Sequence, residues 1–190
     1  MKSENLYFIA LIPKKTLREN ITAFKQDFAN RFNSRVALRV YPHITLKAPF
    51  KLPPDKHSYL LNWFSGLNIN QKPFLIQLKD FGSFPNSKTP VVYIDPVSNA
   101  ELSFLQVKIM LSFISNISDI VTKADIEFKP HVTIAYRDLT PEMFAKAWQE
   151  YQRKKFDALF EVDAFYLLQH DAKKWNIIAT YSLSQEVVSL

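Results

Sequence analysis

The chain has 190 residues, of which 47% are hydrophobic and 22% charged, with a formal net charge of +6, a globular balance with a bias toward anionic partners. No apolar run reaches the ~18 residues that cross a bilayer, and the lack of cysteine excludes disulfides and every Cys-ligated zinc or iron–sulfur site. Only two glycines occur, Gly66 and Gly82, which excludes a Walker loop, a dinucleotide fingerprint and a Gly-x-Ser-x-Gly elbow; a phosphate bound here must be held largely by side chains.

In chain order, the apolar run 6–12 predicts a strand stopped by Pro13. Thr16 to Glu19 has the form of a capping box, and Leu17, Ile21, Phe24 and Phe28 follow at helical spacing, giving a helix to about Phe32. Residues 36–41 read as a strand leading into Pro42-His43-Ile44-Thr45-Leu46. Prolines 49, 53 and 54 interrupt the chain, and Asp55 is placed to cap a short helix through about Phe64. A strand over 74–81, a loop over 82–90 and a strand over 91–94 follow. Ser98 to Glu101 forms a second expected capping box, opening a helix to about Asn116 through Leu102, Leu105, Ile109 and Phe113. A strand over 128–135 carries Pro130-His131-Val132-Thr133-Ile134; Thr140-Pro141 opens a helix to about Lys155, and strands over 160–168 and 175–183 form a hairpin around 171–174. The repeated order of capped helix, then histidine strand, reads as a degenerate internal duplication, with one two-lobed domain over 1–190.

The pentapeptides at 42–46 and 130–134 carry the functional argument. Each alternates polar and apolar residues, so that His43 shares a face with Thr45, and His131 with Thr133. A histidine in this setting arises by chance at roughly one histidine in a thousand; two of the four histidines have it. The other two, His57 and His170, are expected at the surface, and Trp63 and Trp148 in the core. Two imidazoles on one cleft supply a base and an acid near neutral pH, and hydroxyls can hold the non-bridging oxygens of a reacting phosphate. The scheme needs no metal; the alternative is a metal set of His43, His131 and Asp80 or Asp138.

Paired His-x-Thr-x tetrapeptides half a chain apart resemble the two-histidine phosphoesterase superfamily, which includes the 2′,5′-RNA ligase-like proteins and the 2′,3′-cyclic nucleotide phosphodiesterases. The resemblance implies an α+β fold of two pseudo-symmetric lobes, each an antiparallel sheet with outer helices, around a central cleft. It implies His43 and His131 as the catalytic pair and Thr45 and Thr133 as phosphate-binding hydroxyls. Lys47 continues the His43–Thr45 face by parity, where it either meets phosphate or stands as a solvated lysine at the strand end. At the end of the second strand, Tyr136 and Arg137 are equal candidates, the choice resting on a twist or bend there. Phe84 offers either a wall for a base to stack on or core packing.

The expected activity is hydrolysis of a 2′,3′-cyclic phosphate on an RNA end or nucleotide. The alternatives are 2′,5′-RNA ligation by the same acid-base groups, or RNA or nucleotide binding without turnover. No cofactor, membrane segment or obligate protein partner is expected, and a cytoplasmic location is.

Overall fold

The computed structural model describes residues 4–85 and 88–184. Residues 86 and 87 of the expected 82–90 loop lie outside them. Among the described residues, eight strands and five helices follow in order: β1 (Asn5–Leu11), α1 (Lys15–Arg31), β2 (Ile44–Leu52), α2 (His57–Ser65), β3 (Phe74–Phe84), β4 (Val91–Pro96), α3 (Ala100–Asn116), α4 (Lys123–Ile126), β5 (Val132–Ala135), α5 (Pro141–Tyr151), β6 (Asp157–Val162), β7 (Ala164–His170) and β8 (Trp175–Ser182). The fold is α+β. All strand pairs are antiparallel, in one sheet of order β6-β3-β4-β5-β2-β1-β7-β8.

The two histidine strands sit side by side at the middle of that order. β2 and β5 meet through the pair Ile44 and Val132, and four strands lie on each side of the junction counting the histidine strand itself. These are the two expected lobes, but they are not the two halves of the chain. β3 and β4 join β5 and β6, whereas β7 and β8 return to join β1 and β2. The helix that precedes each histidine strand packs against the other strand, α1 on β5 and α3 on β2.

Alternation sorts β1 onto two faces. Tyr7, Ile9 and Leu11 enter the main core beneath the helices, while Phe8 and Ala10 join Ile12 and Leu168 in a smaller apolar cluster on the other side. The expected strand 160–168 is two strands. Val162 ends β6 at one edge, Asp163 intervenes, and Ala164 begins β7 near the opposite edge, so the sheet curls until its ends approach each other.

Local chemistry moves several expected boundaries. α1 starts at Lys15 without a side-chain cap, so Thr16 lies inside the helix; Lys14 instead reaches Glu161 and Asp163 at 2.7 and 3.0 Å. α3 is capped by Asn99, whose side chain accepts from Leu102 N, one residue later than expected. Thr140 caps α5 as read, although that helix ends at Tyr151. Residues 36–39 form a 3-10 turn rather than a strand. Its backbone is satisfied from elsewhere: Asp138 accepts from Arg35 N and Val36 N, and Lys25 Nζ donates to Ala37 O and Val40 O, both at 3.0 Å.

Candidate functional site

Both histidines sit one residue before their strands and are fixed in the same manner. His43 Nδ1 donates to Tyr41 O and His131 Nδ1 donates to Lys129 O, each at 2.7 Å. A carbonyl only accepts, so Nδ1 carries a proton in both rings, and Nε2 is left to exchange one. The prolines between, Pro42 and Pro130, bias Tyr41 and Lys129 toward extended backbone, which presents those carbonyls. An aromatic ring lies against each imidazole: Phe8 tilted at 5.0 Å from His43, and Phe84 edge-on at 5.2 Å from His131.

A cavity of about 360 Å³ is lined by His43, Thr45, His131, Thr133, Tyr136 and Arg137 together. Among the described residues, neither threonine hydroxyl has a protein hydrogen-bond partner. Tyr136 and Arg137 both reach this cavity because the chain turns sharply after β5. Asp138 N donates to Tyr136 O at 2.7 Å across Arg137, whose φ of 59° is left-handed, and this breaks the alternation that would have opposed the two side chains. The Arg137 guanidinium then lies 5.2 Å from the centre of the Tyr136 ring.

Lys47 does not continue the face. Thr45 pairs with Ala10 and Lys47 with Ile9, which leaves Leu46 as an extra residue in β2. Cross-strand partners share a face, so Thr45 follows Ala10 to the cavity side and Lys47 follows Ile9 into the core. Its side chain is fully buried, 2.9 Å from Asp125 Oδ2 and near the rings of Phe50 and Phe113. Asp125 also accepts from Ala48 N and from the backbone and hydroxyl of Thr122. Burial alone would raise its pKa, but Lys47 and these donors outweigh that and hold the carboxyl below its ordinary value.

Phe84 is in neither core cluster. It lies 4.6 Å from Tyr93 and lines an adjoining cavity of about 590 Å³ beside Thr45 and His131. Gly82 leaves room for the Tyr93 ring in this contact, because a Cβ there would lie 2.4 Å from it. The carboxylates of the alternative metal set are directed elsewhere: Asp138 to the 34–36 turn, Asp80 to Lys155 and Phe156 N. No cluster of three or more His, Cys, Asp or Glu able to hold a metal occurs among the described residues.

Among the cavity residues that escaped the sequence reading are Phe8, His170 and Lys25. Phe8 was hidden because β1 is apolar on both faces. His170 lines the cavity rather than the open surface, packed against Trp175 at 5.0 Å. Lys25 is 1% exposed and borders the cavity; its signal was a lysine in register with Ile21 and Phe28 on the apolar stripe of α1. The remaining histidine, His57, is half-buried, with Nδ1 2.8 Å from the Tyr7 hydroxyl.

The two imidazoles are electrostatically unequal. Burial pushes His43 down to about 4, with the positive charges of Lys25 and His131 adding to the effect and the bond to Tyr41 O opposing it. Burial also lowers His131, but the bond to Lys129 O and the Asp95 carboxylate pull the other way.

Residues 13–174 match the model of the 2′-5′ RNA ligase superfamily. The chain belongs to that superfamily. This 2′-5′ RNA ligase superfamily member is 27% identical over 178 residues to a protein of Bacillus cytotoxicus provisionally named a phosphoesterase, covering 93% of this chain and 96% of that one. A similarly named protein of Oceanobacillus iheyensis is 28% identical over 182 residues, covering 95% and 99%. The fold of this chain matches that of E. coli LigT solved with 3′-AMP, with a TM-score of 0.68 at 18% identity over 96% of this chain and all of that one. A Thermus thermophilus protein superposes with a TM-score of 0.69, also at 18% identity, over 95% and 99%. The superfamily member is therefore an enzyme of the two-histidine phosphoesterase type in fold and family, and no helix among its described residues is long and apolar enough to cross a membrane.

Proposed function

We propose that the protein opens 2′,3′-cyclic phosphates on nucleotides or RNA ends, using His43 and His131 without a metal. The observation that carries this reading is the pair of imidazoles on one cavity, each with Nδ1 tied to a backbone carbonyl and Nε2 left for proton transfer. His43, the more depressed of the two, serves as base: its Nε2 takes a proton from water as the water oxygen bonds to phosphorus. His131, supported by Asp95, serves as acid: its Nε2–H protonates the ribose oxygen as the P–O bond breaks. The proton that His43 gained and the one that His131 lost are exchanged with solvent before the next cycle. Thr45 and Thr133 donate to the non-bridging oxygens, and Arg137 offsets the charge that grows on them. The solved structures of E. coli LigT with 3′-AMP, with ATP and with phosphate support a nucleotide or phosphate ligand for this fold.

The test is turnover of a panel of 2′,3′-cyclic nucleotides in EDTA, with the 2′- and 3′-phosphate products resolved. Turnover is expected to survive chelation, and His43→Ala and His131→Ala are each expected to lose on the order of 10²–10⁴-fold in kcat with the fold intact. A single variant that stays within a few-fold of the wild type overturns the mechanism.

A further inference from the structure

A groove of about 540 Å³ lies beside the catalytic cavity, and the two share Lys25, Val40 and Trp175 in their walls. The charge of the groove is one-sided. Arg18, Arg39 and Lys174 line it, and no carboxylate forms an ion pair with any of them among the described residues. Its one acid, Glu19, is 3.9 Å from Lys15. At the junction stands Lys25, an amine 1% exposed whose described partners are two neutral carbonyls and whose pKa burial lowers to about 7. Two carbonyls can be held by a neutral donor; a buried charge is costly to keep without a counter-charge. Aromatic faces accompany the cations. Tyr41 is 42% exposed with the Arg18 guanidinium 5.3 Å from its ring centre, and Trp175 separates the groove from the cavity while packing on Phe8.

We propose that this groove is a second phosphate subsite, which takes the phosphodiester one nucleotide upstream of the reacting phosphate, with Lys25 at its inner end and Arg18 and Arg39 at its mouth. The inference rests on the cyclic phosphodiesterase reading and narrows it: the preferred substrate is an oligoribonucleotide end, not a free cyclic mononucleotide. The base of the upstream nucleotide stacks on Tyr41 or Trp175, a contact that tolerates any sequence because every base has a π-face.

The experiment compares a nucleoside 2′,3′-cyclic phosphate with a dinucleotide ending in the same group, in wild type and in an Arg18→Gln, Arg39→Gln double variant. The wild type is expected to show a KM at least tenfold lower for the dinucleotide. The double variant should lose that advantage while its kcat/KM for the mononucleotide stays within about twofold. Its log-log salt slope for dinucleotide binding should fall by no more than about 0.7, since the dinucleotide has one upstream phosphodiester to lose. Equal KM values for the two substrates in wild type, or equal losses on both in the variant, overturn the subsite. Calorimetric binding of a dinucleotide 3′-phosphate against a mononucleotide 3′-phosphate separates the two readings, since it needs no turnover. Tighter dinucleotide binding that the double variant removes supports the subsite even if no cyclic phosphate is hydrolysed; equal binding rejects it even if one is.

Discussion

Burial lowers the pKa of both imidazoles, His43 further than His131, and that difference is measurable. In kcat/KM, the limb that rises with pH reports the base of the free enzyme and the limb that falls reports the acid. With His43 near 4 and His131 below its ordinary 6.5, the profile should be a bell whose maximum lies on the acid side of pH 6.5. The sign of the Asp95 contribution follows. Its carboxylate favours the charged form of His131, so Asp95→Asn should lower that pKa further and move only the falling limb to lower pH. A profile in which that limb stays in place or moves up would remove Asp95 from the mechanism. Sequence could pair His43 with His131 by their matching surroundings. It could not rank them, because burial and the approach of Lys25 and Asp95 are set by other segments of the chain.

At the scale of elements, one extra residue in β2 decides the role of Lys47. Strict alternation assigns it to the cavity; the irregular register at Leu46 turns it to Asp125. The same carboxylate accepts from Ala48 N, just beyond the bulge, so α4 and β2 are joined at the point where the ladder is broken. Removing one partner of a buried ion pair typically costs about 3–5 kcal/mol, because the other charge is left uncompensated. Asp125→Ala strands the ammonium and three donors, and should fall in that range by urea midpoint. Lys47→Met leaves the carboxylate with its Thr122 and Ala48 donors, so it should cost less. Its KM for a cyclic nucleotide should match the wild type; a tenfold increase would return Lys47 to the substrate. A comparable local break was visible as a question in the sequence at Tyr136 and Arg137. The left-handed turn at Arg137 answers it by admitting both side chains to the cavity.

For the whole molecule, the consequence of topology is interdependence. A chain cut between Val97 and Ser98 gives a first fragment whose two strand pairs, β1–β2 and β3–β4, are not neighbours in the sheet. β5 stands between them, and β6, β7 and β8 are missing from the outer edges. Neither fragment is expected to unfold cooperatively alone, and mixing them should restore one transition by circular dichroism. A cooperative transition in fragment 1–97 would contradict the exchange of strands between halves. The amino-acid sequence by itself determined the family and its candidate residues, because side-chain types and their order in the two Pro-His-x-Thr strands are local properties, readable from a period of two. It also determined the class and approximate place of most elements through apolar periodicity and capping residues, but not the turn at 36–39, the helix α4 or the division of 160–168 between β6 and β7. Only the tertiary structure decided which strands adjoin, which face Lys47 takes, that Lys25 and Trp175 border the cavity, and how far each histidine is depressed. Those depend on register, bulges and burial among residues far apart in the chain, and a local pattern carries no record of the distant segment that completes it.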